Sequence, residues 1–258
     1  MKSQLFEQSH LEAQVADRFS LQNSQLLRVA LGPDVLAVKG AMVAYQGQIA
    51  FQHEKSGSMG KLLKKVLSSE DMPLMRVSGQ GEVFFANEAG YVYLLELGAE
   101  GGTQRGAQGG AEGGGQSGGP GVDGISVNGR NLLAFDAALS WDINRVRGAG
   151  MMAGGLFNTT VSGSGTVALC TVGKPVVLDC SQQPTYVDVQ ACVAWSANLV
   201  PQVVSSMNMR SLLRGGSGEA FQYAFHGPGF VVVQPHEWVA PAQQSGSSSG
   251  GGLGDLFG

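Results

Sequence analysis

An excess of positive charge is missing from this chain: 16 Lys and Arg stand against 20 Asp and Glu over 258 residues, a formal net charge of −4. A nucleic-acid backbone calls for a basic face, so nucleic acid is not expected as a partner. Long apolar runs are missing too, and none approaches the roughly 18 residues of a helical membrane span. The first twenty residues carry Glu7, Glu12 and Asp17 among polar neighbours. They have neither the apolar centre of an export signal nor the acid-poor character of a mitochondrial transit peptide. Cysteine is sparse: Cys170, Cys180 and Cys192 are an odd number in apolar surroundings, which points to reduced, buried thiols and a cytoplasmic setting. His10, His53, His226 and His236 are scattered, with no His or Cys pair at ligand spacing, so neither a metal nor a cofactor is expected. Catalytic patterns are equally thin. Ser117 sits in a Gly-Gln-Ser-Gly-Gly stretch that lacks the strand and helix a nucleophile elbow requires. Asp136, Asp142, Asp179 and Asp188 lie in or beside strand-like runs, where turns, sheet edges and ion pairs account for them. No enzyme is expected.

Glycine, by contrast, is abundant, with 40 residues, and much of the excess is concentrated in residues 98–121 and 243–252. Both tracts have too few apolar side chains to offset the entropy of ordering them and are expected to be flexible. The first is read as an enlarged loop and the second as part of a tail, residues 241–258, that ends in an apolar cluster from Leu253 to Phe257. The remaining glycines form a pattern: Ser78-Gly79-Gln80-Gly81, Ser162-Gly163-Ser164-Gly165 and His226-Gly227-Pro228-Gly229. Each follows β-like sequence and precedes another β-rich run. No Lys-Ser or Lys-Thr pair follows the glycines and no helix opens after them, so phosphate binding is set aside. Gly79, Gly81, Gly163, Gly165, Gly227 and Gly229 are read as structural turns at tight hairpins, positions that require positive φ.

A second element recurs upstream of each turn, over residues 38–45, 135–141 and 189–195, ending in Tyr45, Trp141 and Trp195. Two elements in constant order indicate internal triplication. The expected architecture is all-β: three pseudo-repeated units, about residues 20–97, 125–180 and 181–240, forming one prism-like or sandwich-like domain over residues 20–240, after an N-terminal segment of residues 1–19. Strand-like runs punctuated by Gly, Pro and Asn dominate. One or two short helices are expected. Residues 61–68 place Leu62, Leu63, Val66 and Leu67 on one face and Lys61, Lys64 and Lys65 away from it, and residues 205–214 carry Arg210 and Arg214. A helix packed over the sheet with a solvated basic face accounts for this pattern. The same five cations are the candidates for contact with an anionic membrane or partner.

Several phrases in the chain resemble a known family. Val38-Lys39-Gly40-Ala41-Met42-Val43-Ala44-Tyr45, Asn128-Gly129-Arg130-Asn131-Leu132-Leu133-Ala134-Phe135-Asp136, Gly148-Ala149-Gly150-Met151 and Gly229-Phe230-Val231-Val232-Val233-Gln234-Pro235 are similar to bacterial members of the altered-inheritance-of-mitochondria twenty-four family, over roughly residues 20–240. The resemblance implies a β-rich fold like that of the tryptophan RNA-binding attenuation protein, without enzymatic activity. No RNA-contacting motif is matched. The functional expectation is a non-catalytic scaffold acting through self-association and an unknown protein partner, since open strand edges need covering. The alternatives are a peripheral membrane protein and, more weakly, a small-ligand or nucleic-acid binder.

Overall fold

Runs rich in Val, Leu, Ile and aromatic residues, interrupted every few positions by Gly, Pro or Asn, favour extended chain. The computed structural model of the protein is accordingly built from strands. It describes residues 3–13, 15–54, 74–98, 124–145, 157–204 and 221–237. Among these residues the helical elements are three 3-10 turns, Gln4–Phe6, Gln8–His10 and Gly129–Asn131. The helices expected at residues 61–68 and 205–214, the two glycine-rich tracts and the apolar tail cluster lie outside the described residues.

Strand β1 is Phe19–Asn23. The first repeat contains β2 (Leu26–Leu31), β3 (Val35–Val38), β4 (Met42–His53) and β5 (Leu74–Phe85). The second contains β6 (Tyr91–Leu97), β7 (Gly124–Asn128), β8 (Leu132–Asp136), β9 (Ser140–Arg145), β10 (Phe157–Ser162) and β11 (Gly165–Thr171). The third contains β12 (Val176–Asp179), β13 (Thr185–Asp188), β14 (Cys192–Ser196), β15 (Gln202–Val204), β16 (Gln222–Phe225) and β17 (Phe230–Val233). Strands β6 and β12 open the repeats in which they pair, with β11 and β17, just as β2 pairs with β5. The structural repeat therefore begins one strand earlier than the repeat read from the glycine pattern.

Three sheets result. The largest runs β1-β2-β5-β3-β8-β11-β6 with β4 added to β5. It curls until the Val92 N–H in β6 donates to the Ser24 carbonyl in the β1–β2 turn at 2.8 Å, giving a nearly closed barrel. The second runs β12-β17-β14-β7-β10-β9, and the third β13-β16-β15. The barrel interior is filled by Leu27, Val29, Val83, Phe85, Val35, Val77 and Ala134. Leu36, Phe135, Val167 and Leu169 on the barrel exterior pack with Ile125, Val127, Val161 and Val232 of the second sheet. Trp195, Cys192 and Val231 on the far side of that sheet pack with Val187, Tyr223 and Phe225 of the third. Strand β8 is thus buried on both faces, which is why Leu132, Leu133, Ala134 and Phe135 form a continuous apolar run rather than an alternating one.

The registers establish the triplication. In each repeat one strand carries a bulge immediately before an alanine: Met42 faces Phe85 and Ala44 faces Phe84, Leu132 faces Leu169 and Ala134 faces Ala168, Cys192 faces Val233 and Ala194 faces Val232. The extra residues are Val43, Leu133 and Val193, and the aromatic after each alanine is Tyr45, Phe135 or Trp195. The recurring element read from the sequence places Trp141 in the second of these positions. Phe135 occupies it, and Trp141 stacks edge-on to Phe135 at 6.4 Å.

Candidate interaction surfaces

All six repeated glycines have positive φ, 120° at Gly79, 111° at Gly163 and 120° at Gly227, with 137°, 157° and 153° at Gly81, Gly165 and Gly229. Their setting differs from the expected hairpin. Strands β10 and β11 belong to different sheets, as do β16 and β17, so the Gly-x-Gly unit is a corner by which the chain leaves one sheet for the next. In the first repeat it lies inside β5, whose residues 74–77 pair with β3 and whose residues 81–85 pair with β2. A side chain at Gly79 or Gly81 would meet the backbone carbonyls of Gln48 and Gln46 on β4.

A polar latch secures two of these corners. Asp136 accepts the Thr166 N–H through Oδ2 at 2.7 Å, and Ser196 accepts the Phe230 N–H through Oγ at 2.8 Å. The equivalent residue in the first repeat is Gln46, where the β4–β5 ladder continues without interruption. Asp136 also pairs with Arg18, which donates to the Pro33 and Asp34 carbonyls at 2.7 and 3.3 Å and so fastens the N-terminal segment to the barrel. Burial holds the Arg18 guanidinium below its ordinary pKa. Arg28, almost fully buried, pairs with Glu82 and donates to Ser20 Oγ and the Val15 carbonyl, each at 3.3 Å. That arginine holds the Glu82 carboxyl below the usual carboxylate range, while a hydrogen bond to Glu82 raises neighbouring Glu12. Arg76 grips Glu54 with two bonds, 2.8 and 3.0 Å, which raise the arginine pKa.

The remaining polar groups follow the same pattern. Asn131 donates to the Cys170 carbonyl at 2.8 Å and to Gln234 Oε1 at 3.0 Å, joining the second repeat to the end of the third. Asp179 and Asp188 cap turns, accepting the Ser181 and Gln190 N–H groups at 2.8 and 2.7 Å, and Asp142 is exposed. All three cysteines are free and buried, and burial raises each thiol pKa. Burial also raises the Tyr223 hydroxyl, packed 5.8 Å from Trp195. Among the described residues no three His, Cys, Asp or Glu side chains converge as a metal site, and no helix is long and apolar enough to cross a membrane. Lys61, Lys64, Lys65, Arg210 and Arg214 lie outside the described residues, so the structure does not bring them together.

Several large apolar side chains that face solvent lie on strands. β4 is exposed over residues 43–48, presenting Val43 and Tyr45, the latter edge-on to Phe51 at 5.4 Å. Tyr186 on β13 and Val176 and Val177 on β12 are also exposed. Among the described residues β4 pairs only with β5, and β13 only with β16. Sequence reasoning did not single out this edge, although the apolar Val43 and Tyr45 are the signal that carries it.

Residues 19–111 and 117–236 match the family model described as mitochondrial biogenesis AIM24. The chain belongs to the AIM24 family. The interruption in the match falls within the glycine-rich tract. A crystal structure of a Streptococcus pyogenes protein aligns with this AIM24-family chain at a TM-score of 0.60, with 22% identity, covering 85% of this chain and 92% of that one. The likeness is one of fold. No curated protein matches the sequence significantly.

Proposed function

We propose that this AIM24-family protein is a non-catalytic, self-associating scaffold that acts by binding protein partners. The observation that carries the reading is β4, a twelve-residue strand whose outer edge is open among the described residues, with exposed Val43 and Tyr45. Unpaired N–H and C=O groups along such an edge are a template for another strand, and folded proteins usually cover or charge it. The ionisable groups support the same reading. Arg18, Arg28, Arg76, Asp34, Glu54, Glu82 and Asp136 pair with one another across strands, and the raised thiol pKa values keep the cysteines protonated and poorly nucleophilic. Light scattering on the eluting protein tests the proposal. A mass that is a multiple of 26.8 kDa is expected, and a clean monomer at micromolar concentration would overturn it.

A further inference from the structure

Among the described residues, strands of different repeats pair through a single kind of junction, which occurs twice. β3 of the first repeat lies antiparallel to β8 of the second, with Leu36 facing Phe135 and Ala37 facing Ala134. β7 of the second lies in the same way against β14 of the third, with Ser126 facing Trp195 and Val127 facing Ala194. The third repeat supplies the donor half of the same junction, β13, because Val35, Ile125 and Thr185 face the equivalent residues Val77, Val161 and Phe225. The first repeat supplies the acceptor half, the start of β4. These halves lie in different sheets, β13 in the smallest and β4 in the barrel.

The burial pattern shows that, among the described residues, this third junction is open. Phe135 and Trp195 are 0% and 3% exposed, whereas the equivalent Tyr45 is 49% exposed. Ala134 and Ala194 are fully buried, whereas Ala44 is exposed. On the donor side Leu36 is fully buried, whereas the equivalent Tyr186 is 59% exposed. The first and third repeats thus each carry half of an interface whose two complete copies lie inside the molecule.

We infer that β13 of one copy pairs antiparallel with β4 of a second copy, setting Tyr186 opposite Tyr45, Val187 opposite Ala44 and Thr185 opposite Gln46. The inference rests on the self-association proposed above and specifies its surface, direction and register. Because donor and acceptor are different patches, the contact is head-to-tail: it yields a ring where the rotation closes and a filament where it does not. The registers within the chain argue for a second copy as occupant, since this chain itself carries in β13 a strand built to the β3 and β7 pattern.

The test uses Tyr45→Asp and Tyr186→Asp in the full chain. Both side chains are exposed, so each variant should keep the wild-type circular dichroism and a cooperative melt, its midpoint lowered only by the loss of association, and Tyr45→Lys with Tyr186→Lys repeats the experiment should an Asp variant fail to fold. Wild type is expected as an oligomer and each single variant as a monomer by light scattering. Mixing the two variants should give a 1:1 dimer that grows no further, because one retains an intact β13 and the other an intact β4. Variants that remain oligomeric, or that stay monomeric when mixed, would overturn the head-to-tail seam while leaving self-association through another surface in place. A monomeric wild type would overturn both.

Discussion

Asp136 performs two tasks at one corner, and Ser196 performs one of them at the equivalent corner, so the repeats supply their own control. Asp136→Ala removes the acceptor for the Thr166 N–H and the partner of Arg18. A hydrogen bond to a charged group contributes about 1.5–3 kcal/mol. Breaking a fully buried ion pair costs about 3–5 kcal/mol. The two side chains here are only partly buried, 15% and 26% exposed, and Arg18 retains its carbonyl acceptors, so the combined loss is set at about 3 kcal/mol. Ser196→Ala leaves one N–H without its partner, a loss of about 1–2 kcal/mol. At about 2–4 °C per kcal/mol for a chain of this size, melting temperature should fall by about 6–12 °C for Asp136→Ala and about 2–8 °C for Ser196→Ala. Asp136→Asn, which keeps an acceptor but no charge, should lie between wild type and Asp136→Ala. Urea titration followed by tryptophan fluorescence reads the same order. If Asp136→Ala melts with wild type, or no lower than Ser196→Ala, the latch and its ion pair do not stabilise the corner.

Gly79→Ala and Gly81→Ala should lower the urea midpoint more than Gly163→Ala and Gly227→Ala. The first pair drives a methyl group into the β4 backbone, whereas the second leaves its nearest atoms at 3.5 and 3.7 Å and meets only left-handed strain of about 1–2 kcal/mol. Equal midpoints would show that β4 yields at the corner. The depressed Glu82 pKa contributes stability that is present above the carboxyl's unfolded value and is lost as pH falls through its lower folded value. Glu12, shifted upward, offsets part of this. Glu82→Gln should therefore flatten the acid side of the stability profile measured by denaturant titration, and an unchanged acid side would remove the Arg28–Glu82 pair as its cause. Native protein should react negligibly with a thiol-specific disulfide reagent and release three equivalents once unfolded; a thiol that reacts in the native state would contradict the burial assigned to all three.

Much of the fold was legible because strand sequence and strand structure coincide where residues are both apolar and flanked by breakers. The apolar runs Leu26–Leu31, Val35–Val38, Tyr91–Leu97 and Phe230–Val233 are each strands over their whole length. Legibility failed where the tertiary setting overrode local signals. Gly79 and Gly81 read as punctuation, yet β5 runs through them because close approach of β4 excludes a side chain at both. The mostly apolar run over residues 187–195 has the composition of one strand, yet Val189 to Ala191 turn the chain from the smallest sheet to the second. Polar or short strands, such as β10 with Asn158, Thr159 and Thr160, carry little apolar signal of their own and form through register with β7 and β9. The exposed edge was hidden for a different reason: Tyr45 has the same character as Phe135 and Trp195, and only the neighbours determine which of the three is covered.

The two internal junctions also bear on how the chain acquires its structure. In a solenoid each repeat is a nearly self-sufficient packet that adds to its neighbour. Here the second and third repeats each send their last strand into one sheet and the strand before it into the next, and the first shares the barrel with strands of the second, so no single repeat completes a layer by itself. Cutting between repeats would release pieces with half-built sheets rather than small domains, and co-expressed pieces would have to find each other through β3 and β8 or β7 and β14. Folding of this kind depends on contacts between distant parts of the chain and is correspondingly slow. The unit that was multiplied in the sequence is therefore not the unit that folds, and cooperativity should extend across all three repeats as one transition.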